Sequence, residues 1–273
     1  MRPLVLGILN VTPDSFSDGG QFSSVERAVE RALEMLGEGA DIIDIGGEST
    51  RPGADAVSID TELERVIPVI EALRARRPDA RISIDTRRVE VARPAVSAGA
   101  EIINDVSASL HDVAAETGAG WIAMHMQGQP ADMQHRPHYA NVVAEVREFL
   151  VERAEAGRRA GVANIWIDPG FGFGKSEAHN MALLAGLASL VDTGWPVAVG
   201  LSRKSMLGAI LARSDGADVP VPAGDRLEGS VATATYAMLL GASMIRVHDV
   251  KAAWQAATVV AADPKWKGPD GEG

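Results

Sequence analysis

Short apolar runs alternate with segments of helical periodicity along almost the whole 273-residue chain. Most of these runs are hydrophobic throughout, which is typical of parallel strands that are covered on both faces. The eight candidate strands lie at residues 4–9, 41–45, 81–85, 101–104, 121–125, 165–168, 196–200 and 243–247. The clearest candidate helices lie at residues 25–37, 63–73, 142–161, 181–190 and 249–261.

This alternation predicts an α/β fold of the (β/α)8 TIM-barrel type. We expect a single barrel domain over residues 1–262 and a flexible C-terminal tail over 263–273, where proline and glycine are frequent. Gly39, Gly99 and Gly241 each open a repeated Gly-Ala motif before a strand and are predicted helix C-caps. A doubly wound open sheet is the alternative, because periodicity alone does not distinguish it from a closed barrel.

Charge and cysteine content exclude several classes of function. The chain carries 26 basic and 37 acidic residues, and its net charge of −11 argues against a nucleic-acid partner. It contains no cysteine, so disulfides, thiolate nucleophiles and cysteine-ligated metals are excluded. No apolar run reaches the roughly 20 residues of a membrane span. Because the N-terminus enters a strand pattern directly, without a signal peptide, we expect a cytoplasmic protein that acts on small molecules.

Polar and glycine-rich residues follow the candidate strands at their C-terminal ends. In a parallel barrel these ends converge on one face, where active sites lie. The clusters occupy residues 10–20, 46–53, 85–87, 104–105, 125–128, 168–175, 202–205 and 246–248. The two long glycine-rich clusters, 10–20 and 46–53, are predicted to be lids over a substrate, with long surface turns as the alternative.

Basic residues in these clusters predict an anion site. Phosphate or diphosphate is the natural ligand for cations gathered on one face of an acidic protein. The basic side chains are Arg51, Arg203, Lys204, Arg246 and His248. Each of them alone is better explained as a surface residue in a salt bridge. Arg246 and His248 favour a binding role, because side chains at i and i+2 of a strand share a face.

Three acceptor side chains, Asp85, Asn104 and Asp168, end three different strands. An ionised carboxylate only accepts hydrogen bonds, so this group favours a heterocycle that is rich in N–H donors. Helix N-capping is the alternative, and it is strongest for the neighbouring Asp105 and for Asp249. The chain has no Walker A motif, no dinucleotide-binding glycine motif, no HExxH and no serine elbow. His125, between two methionines, is interpreted as a hydrogen-bonded structural histidine.

Eight separated motifs make the chain resemble the dihydropteroate synthase family, in the family's order and from about residue 6 to residue 250. They are GILNVTPDSFSDGG at 7–20, DIGGESTRPG at 44–53, SIDT at 83–86, IND at 103–105, MHMQG at 124–128, DPGFGFGK at 168–175, SRKS at 202–205 and IRVHD at 245–249. The resemblance implies a TIM-barrel transferase of folate biosynthesis. It implies that 6-hydroxymethyl-7,8-dihydropterin diphosphate condenses with 4-aminobenzoate to give 7,8-dihydropteroate and diphosphate.

The resemblance also implies a role for each matching residue. The pterin would be held by Asp85, Asn104, Asp168 and Lys204, in a pocket shaped by Met124 and Gly200. The diphosphate would be held by Asn10, Thr50, Arg51, Arg246 and His248. The 4-aminobenzoate slot, to which sulfonamides are similar in shape, would be lined by Phe16, Pro52, Phe173, Lys204 and Ser205. Asn10 would ligate Mg²⁺, and Asp14 or Asp18 would assist the metal or the cationic intermediate. The expected catalytic group is Asn10, Asp14, Asp18, Arg51, Lys204, Arg246 and His248.

A homodimer is typical of families like this one, and we expect one here. Residues 214–224 are longer than the family pattern suggests and are predicted to form a surface loop before the last helix. Two other functions remain open from the sequence. One is a pterin-binding methyltransferase barrel, which needs no diphosphate clamp, and the other is a pterin-binding paralogue without turnover.

Overall fold

The computed structural model describes residues 2–12, 21–49, 57–129, 132–263 and 266, and the side chains at 21–23 are not described. The strands are β1 (Leu4–Asn10), β2 (Ile42–Gly46), β3 (Ile82–Asp85), β4 (Ile102–Asp105), β5 (Gly120–Met124), β6 (Ile165–Asp168), β7 (Ala198–Val199) and β8 (Met244–Val247). The helices are α1 (Gln21–Glu38), α2 (Ile59–Arg76), α3 (Val89–Ala98), α4 (His111–Thr117), α5 (Val142–Ala160), α6 (Glu177–Ala185), α7 (Ala188–Val191), α8 (Ser205–Ser214), α9 (Leu227–Leu239) and α10 (Val250–Ala261).

The eight strands form one parallel sheet that closes into a barrel. Their order in the sheet is β6-β5-β4-β3-β2-β1-β8-β7. An isolated parallel bridge between Ile167 and Val197 joins the two ends of this order, and the Ile167 N–H donates to the Pro196 carbonyl at 2.9 Å. The predicted TIM barrel is therefore confirmed, and the open-sheet alternative is wrong. β7 is the shortest strand, and Pro196 just before it has no N–H to give to a ladder.

The barrel interior is built in layers because alternate residues of a strand share one face. One apolar layer fills the barrel from six strands: Leu6, Ile42, Ile102, Ile122, Ala198 and Met244. Two residues further along five of these strands, towards their C-terminal ends, the inward positions are Asp44, Asn104, Met124, Gly200 and Arg246. An apolar floor thus supports an upper layer that carries the polar side chains Asp44, Asn104 and Arg246. The larger core cluster lies outside the strands, where the helices pack on the sheet.

Backbone conformation agrees with the predicted glycine caps, although at α9 the C-cap is Leu240 and Gly241 follows it. Gly39, Gly99 and Gly241 have φ values of 108°, 123° and 103°, in the left-handed region that favours glycine. The Gly99 N–H donates to the carbonyls of Ala95 and Val96 at the end of α3. Each glycine therefore ends a helix and turns the chain into the next strand.

Two details differ from the sequence prediction, whereas most of the predicted tail at 263–273 lies outside the described residues. The predicted helix at 181–190 is two helices, because α6 ends at Ala185 with Gly186 as its C-cap and α7 begins at Ala188. A Cβ at Gly186 would lie 2.9 Å from Val143 of α5. The loop at 214–224 precedes α9 rather than the last helix, and it contains a short 3-10 turn at Ala223–Asp225. Beyond α10, Trp266 packs half-buried against the core. Within the described residues, no helix is both long and apolar enough to cross a bilayer.

Candidate active site

An open cavity of about 320 Å³, including the part that is open to solvent, lies at the C-terminal end of the barrel. Its lining consists of Asp85, Asn104, Val106, Met124, Asp168, Gly170, Phe171, Phe173, Gly200, Lys204 and Arg246. All six residues that the resemblance assigns to the pterin are in this lining, together with Arg246 and Phe173. They come from β3, β4, β5, β6, β8 and the segment after β7. The closed barrel is what brings these distant positions together.

Arg246 is held between two carboxylates on one side of the cavity. Its Nε donates to Asp44 Oδ2 at 2.6 Å, and its Nη2 donates to Asp85 Oδ2 at 2.5 Å. Asn104 Nδ2 donates to the same Asp44 oxygen at 3.0 Å. The two carboxylates outweigh burial and raise the pKa of Arg246, so its guanidinium stays charged. The arginine therefore presents its remaining N–H groups from a fixed position.

Burial raises the pKa values of both aspartates in the cavity wall. The pKa of Asp85 rises to about 7, because burial and the nearby Asp44 charge oppose the stabilising charge of Arg246. Burial also raises the pKa of Asp168, although a hydrogen bond from the Gly170 N–H at 2.7 Å favours its ionised form. Carboxyl groups of this kind are poised to respond to the hydrogen-bond donors of a ligand.

Lys204 faces the acidic side of the cavity from the N-terminus of α8. Burial, together with the charge of Arg246, lowers its pKa to about 8. Its Nζ lies 4.2 Å from the ring centroid of Phe173, within cation–π range. Lys204 and Phe173 thus form one corner of the cavity, which presents an ammonium group on one side and an aromatic ring on the other. Ser205 follows directly as the first residue of α8.

The segment at 168–175 owes its shape to glycine and to a buried lysine. Gly170 has φ of 66°, and a Cβ there would collide with the His125 carbonyl oxygen. Lys175 is 2% exposed, and its Nζ donates to the carbonyls of Gly170 at 3.0 Å and Phe173 at 3.1 Å. It also contacts His125 Nδ1 at 2.9 Å. These contacts fix the backbone that places Phe173 in the cavity.

The structure confirms the interpretation of His125 as a structural histidine. Burial and the neighbouring Lys175 lower its pKa to about 3, so its ring is neutral and accepts a hydrogen bond at Nδ1. Its ring also packs edge-on against Phe149 at 5.0 Å. Burial likewise lowers the pKa of Lys175 to about 7.

His248 is not the cation that the sequence predicts. Burial, with Arg246 and Arg203 close by, lowers its pKa to about 3. The Ser202 hydroxyl accepts from the His248 backbone N–H at 3.2 Å and lies 3.0 Å from Nδ1. The Ser202 hydroxyl is thus within hydrogen-bond distance of Nδ1, and the tautomer of the ring decides which of the two atoms donates. His248 is a neutral donor at the rim of the barrel.

Arg203 and the two predicted capping aspartates have structural partners. Arg203 forms a two-pronged ion pair with Asp249, at 2.6 and 3.1 Å, so its charge is compensated. Asp249 has no side-chain capping bond to α10, and its capping interpretation is wrong. Asp105 does not cap α4 either, because the N-cap of that helix is Leu110 and has no side-chain capping bond. Asp105 is fully buried and instead accepts from the backbone N–H groups of Ser109 and Leu110, in the segment that leads into the helix.

Several predicted site residues lie outside the described part of the chain: Asp14, Phe16, Asp18, Thr50, Arg51 and Pro52. Asn10 is described and lies partly buried at the end of β1, opposite Gly46 of β2. The described residues contain no group of three His, Asp or Glu side chains that is suited to a metal ion.

Five residues of the site were missed in the sequence: Val106, Gly170 and Phe171 of the cavity lining, and Asp44 and Lys175 behind it. Asp44 interrupts the apolar run of β2, and a carboxylate inside a buried strand is itself a signal of a paired or functional group. Lys175 ends the glycine-rich motif at 168–175, but nothing in the sequence indicates that its ammonium group turns inward onto carbonyl oxygens.

Comparisons with known proteins agree with one another. A family model described as pterin binding enzyme matches residues 6–248. The dihydropteroate synthase of Escherichia coli strain K12 is 49% identical over 267 residues, which cover 96% of this chain and 92% of that protein. The solved structure of Xanthomonas albilineans dihydropteroate synthase with 4-aminobenzoic acid is 50% identical, with a TM-score of 0.87 and coverage of 96% and 94%. The same organism's enzyme in complex with 7,8-dihydropteroate is 46% identical, with a TM-score of 0.83 and coverage of 96% and 95%.

Proposed function

The chain belongs to the dihydropteroate synthase family, and from this premise we propose how its residues carry out the reaction. It is a transferase of folate biosynthesis that condenses 6-hydroxymethyl-7,8-dihydropterin diphosphate with 4-aminobenzoate. The products are 7,8-dihydropteroate and diphosphate. The roles of individual residues given below are our proposal.

One observation carries the assignment of the pterin site: the six residues that the sequence motifs assign to the ring line a single cavity. One carboxylate oxygen of Asp168 accepts from the Gly170 N–H, which leaves the other oxygen for the N–H groups of the ring. Asn104 commits its Nδ2 to Asp44 and retains its carbonyl oxygen as an acceptor. Lys204 supplies a donor for the ring's acceptor atoms, and Met124 forms an apolar wall. The cavity thus complements a flat heterocycle with both donors and acceptors.

The cavity can promote loss of the leaving group without a nucleophilic side chain. The bond between the exocyclic CH₂ carbon and the diphosphate oxygen breaks, and the electron pair leaves with the diphosphate. Positive charge then spreads over the electron-rich dihydropterin, which lies beside the carboxylates of Asp85 and Asp168. Fixed charges of this kind stabilise developing charge at no cost in reorganisation. The arylamine nitrogen of 4-aminobenzoate attacks the CH₂ carbon and then loses a proton.

The departing diphosphate is met by donors at the barrel rim. Arg246 has committed Nε and one Nη2 proton to carboxylates, and its Nη1 amino group is not committed to either of them. His248 is proposed to offer the N–H of Nε2, in the tautomer in which the Ser202 hydroxyl donates to Nδ1. Thr50 and Arg51 are proposed to complete this group. Positioned hydrogen bonds therefore contribute to binding of the diphosphate, in addition to positive charge.

The donor set fits a Mg²⁺ ion that is bound chiefly by the substrate. Mg²⁺ commonly takes one or two oxygen ligands from the protein and the rest from phosphates and water. Asn10 places an amide group at the barrel mouth, and no cluster of three acidic or histidine side chains lies elsewhere in the described residues. Asn10 would hold the ion, with Asp14 or Asp18 assisting. When bound, Mg²⁺ offsets negative charge on the leaving diphosphate.

We also propose that the protein is a cytoplasmic homodimer. Three large apolar side chains, Tyr236 and Leu239 on α9 and Val259 on α10, are exposed on helices that pack against each other. A second copy of the chain would cover such a surface. Light scattering after gel filtration tests this directly, and a Leu239→Glu variant that keeps the dimeric mass would argue against this surface as the interface.

Turnover by the purified protein tests the proposed chemistry. Pterin diphosphate, Mg²⁺ and 4-aminobenzoate are supplied, and the release of diphosphate and formation of dihydropteroate are followed together. Asp168→Asn should weaken pterin binding about 10- to 100-fold, since a charge-assisted bond contributes about 1.5–3 kcal/mol. Asp218→Asn, at an exposed position, is the matched control and should behave like the parent protein. Pterin binding without turnover would indicate a non-catalytic paralogue, and the absence of both would refute the proposal.

A further inference from the structure

Asp44 is a wholly buried carboxylate that contacts the cavity wall without being part of the cavity lining. It lies in β2, in the polar layer directly above the apolar floor of the barrel. Its Oδ2 accepts from Arg246 Nε at 2.6 Å and from Asn104 Nδ2 at 3.0 Å. Both of those residues line the cavity, so one oxygen atom of Asp44 orients two side chains that face the substrate.

The second carboxylate oxygen of Asp44, Oδ1, has an environment that is unusual for a purely structural ion pair. Asp44 Oδ1 is buried without a hydrogen-bond partner among the described residues, and so is the hydroxyl of Ser83, its register partner in β3. Burying a charge with an unsatisfied oxygen is costly, and apolar residues often replace buried ion pairs without loss of stability. Arg246 already has Asp85 as a counter-charge. Stability alone therefore gives little reason for a second carboxylate here.

We propose that Asp44 is a positioning residue that fixes the guanidinium of Arg246 and the amide of Asn104 for substrate binding. By taking Nε, Asp44 sets the rotation of the guanidinium plane, and Asp85 then takes Nη2. The Nη1 group is thereby presented in one direction. By taking Asn104 Nδ2, Asp44 also decides which end of that amide remains for the pterin ring. This inference rests on the proposed roles of Arg246 and Asn104.

Asp44 also contributes to the raised pKa of Asp85, after burial as the largest cause. Asp85 is influenced by Asp44 from β2, Glu62 from α2, Arg246 from β8 and Lys204 from the start of α8. Asp44 and Glu62 raise its pKa, and Arg246 and Lys204 lower it. Loss of the Asp44 charge should therefore lower the pKa of Asp85 below its value of about 7.

Two substitutions at Asp44 separate geometry from charge. In Asp44→Asn, the amide oxygen in place of Oδ2 still accepts from Arg246 and Asn104, but the charge is gone. In Asp44→Ala, both hydrogen bonds are lost. Ser83→Ala is the matched control, because it changes a buried polar side chain of the same layer that has no bond to Arg246.

Steady-state kinetics and pH profiles provide the readouts. We expect Asp44→Ala to lower kcat/KM for pterin diphosphate about 10- to 100-fold, as for loss of hydrogen bonds to a charged group. The KM for 4-aminobenzoate should change far less. Asp44→Asn should recover most of this loss while moving the acid limb of kcat/KM to lower pH, because the free enzyme's pKa values set that limb. Ser83→Ala should stay within about twofold of the parent protein, as expected for a site without direct coupling.

Three results would overturn the role of Asp44. They are an Asp44→Ala enzyme with parental kcat/KM, a Ser83→Ala loss equal to that of Asp44→Ala, and an Asp44→Asn enzyme with an unshifted acid limb. If Asp44→Ala does not fold, the pH profile of Asp44→Asn still decides the question. Parental turnover is measured first, and its absence refutes the proposed function itself rather than the role of Asp44.

Discussion

Replacing Gly200 with alanine tests whether the pterin ring lies against the end of β7. The φ angle of Gly200 lies outside the left-handed region, so alanine can adopt the native backbone. A Cβ built there has one atom within 4 Å, the Arg246 Cβ at 3.9 Å, which is ordinary contact. The added methyl group therefore meets no obstacle among the described residues. It enters the cavity that Gly200 lines.

The expected magnitudes follow from this geometry. A Gly→Ala change at a compatible position stabilises the folded state by about 0.4–1 kcal/mol, so Tm should hold or rise slightly. An extra methyl group in a filled site costs about 1–3 kcal/mol, which corresponds to a loss of pterin affinity of about 5- to 150-fold. Binding of pterin diphosphate by calorimetry and melting by differential scanning fluorimetry measure the two effects separately.

Matched glycines make the experiment decisive. For Gly37→Ala in α1, no described residue beyond the helix's own backbone lies within 4 Å of the new Cβ, so this variant should raise Tm without changing pterin affinity. Gly170→Ala should instead lower Tm, because its Cβ collides with the His125 carbonyl and its φ is positive. If Gly200→Ala binds pterin diphosphate like the parent protein, the ring does not lie against Gly200. A clear fall in Tm would also refute the reasoning.

Three further outcomes are expected. Burial lowers the pKa of Lys175 from 10.5 to about 7, so the unfolded chain binds more protons between these values and stability rises with pH there. Urea unfolding measures the free energy of unfolding at pH 7 and pH 9, and its rise between these values should be smaller in Lys175→Met than in the parent protein. An equal rise in both proteins would contradict the assignment. Asp105→Ala leaves several buried N–H donors unsatisfied and should lower the free energy of unfolding by about 3–5 kcal/mol, with unchanged KM values. A shifted KM would contradict a purely structural role for Asp105. Arg246→Ala should weaken binding of pterin diphosphate far more than that of free pterin, and equal losses would argue against its diphosphate role.

The strands were the most predictable part of the fold, because their information is local. Continuous apolar runs identify all eight strands to within a few residues. Closure of the barrel was not predictable in this way. It depends on contact between residues around 167 and 197 in strands at opposite ends of the sheet order, and periodicity says nothing about such pairs. The short helices α3 and α4 are also weak in the sequence, since ten and seven residues give little periodicity.

The cavity lining was predictable because its residues sit at strand ends in recognisable motifs. Their hydrogen-bond partners were not predictable. The sequence shows Arg203 and Arg246 as two cations near a strand end, but one pairs with Asp249 at the rim and the other is held over the cavity. Only the three-dimensional arrangement separates the surface ion pair from the residue that faces the substrate.

Among the described residues of the barrel mouth, acidic side chains largely offset the basic ones, and this affects how the enzyme binds an anionic substrate. Asp44 and Asp85 compensate Arg246, His248 is neutral, and burial lowers the pKa of Lys204 to about 8. The described site is therefore not the strongly cationic patch that residue types suggest. Its described residues can discriminate through the direction of a few fixed donors, since a guanidinium between two carboxylates keeps its geometry when the substrate arrives. A substrate with the right charge but the wrong shape should gain little from such a site.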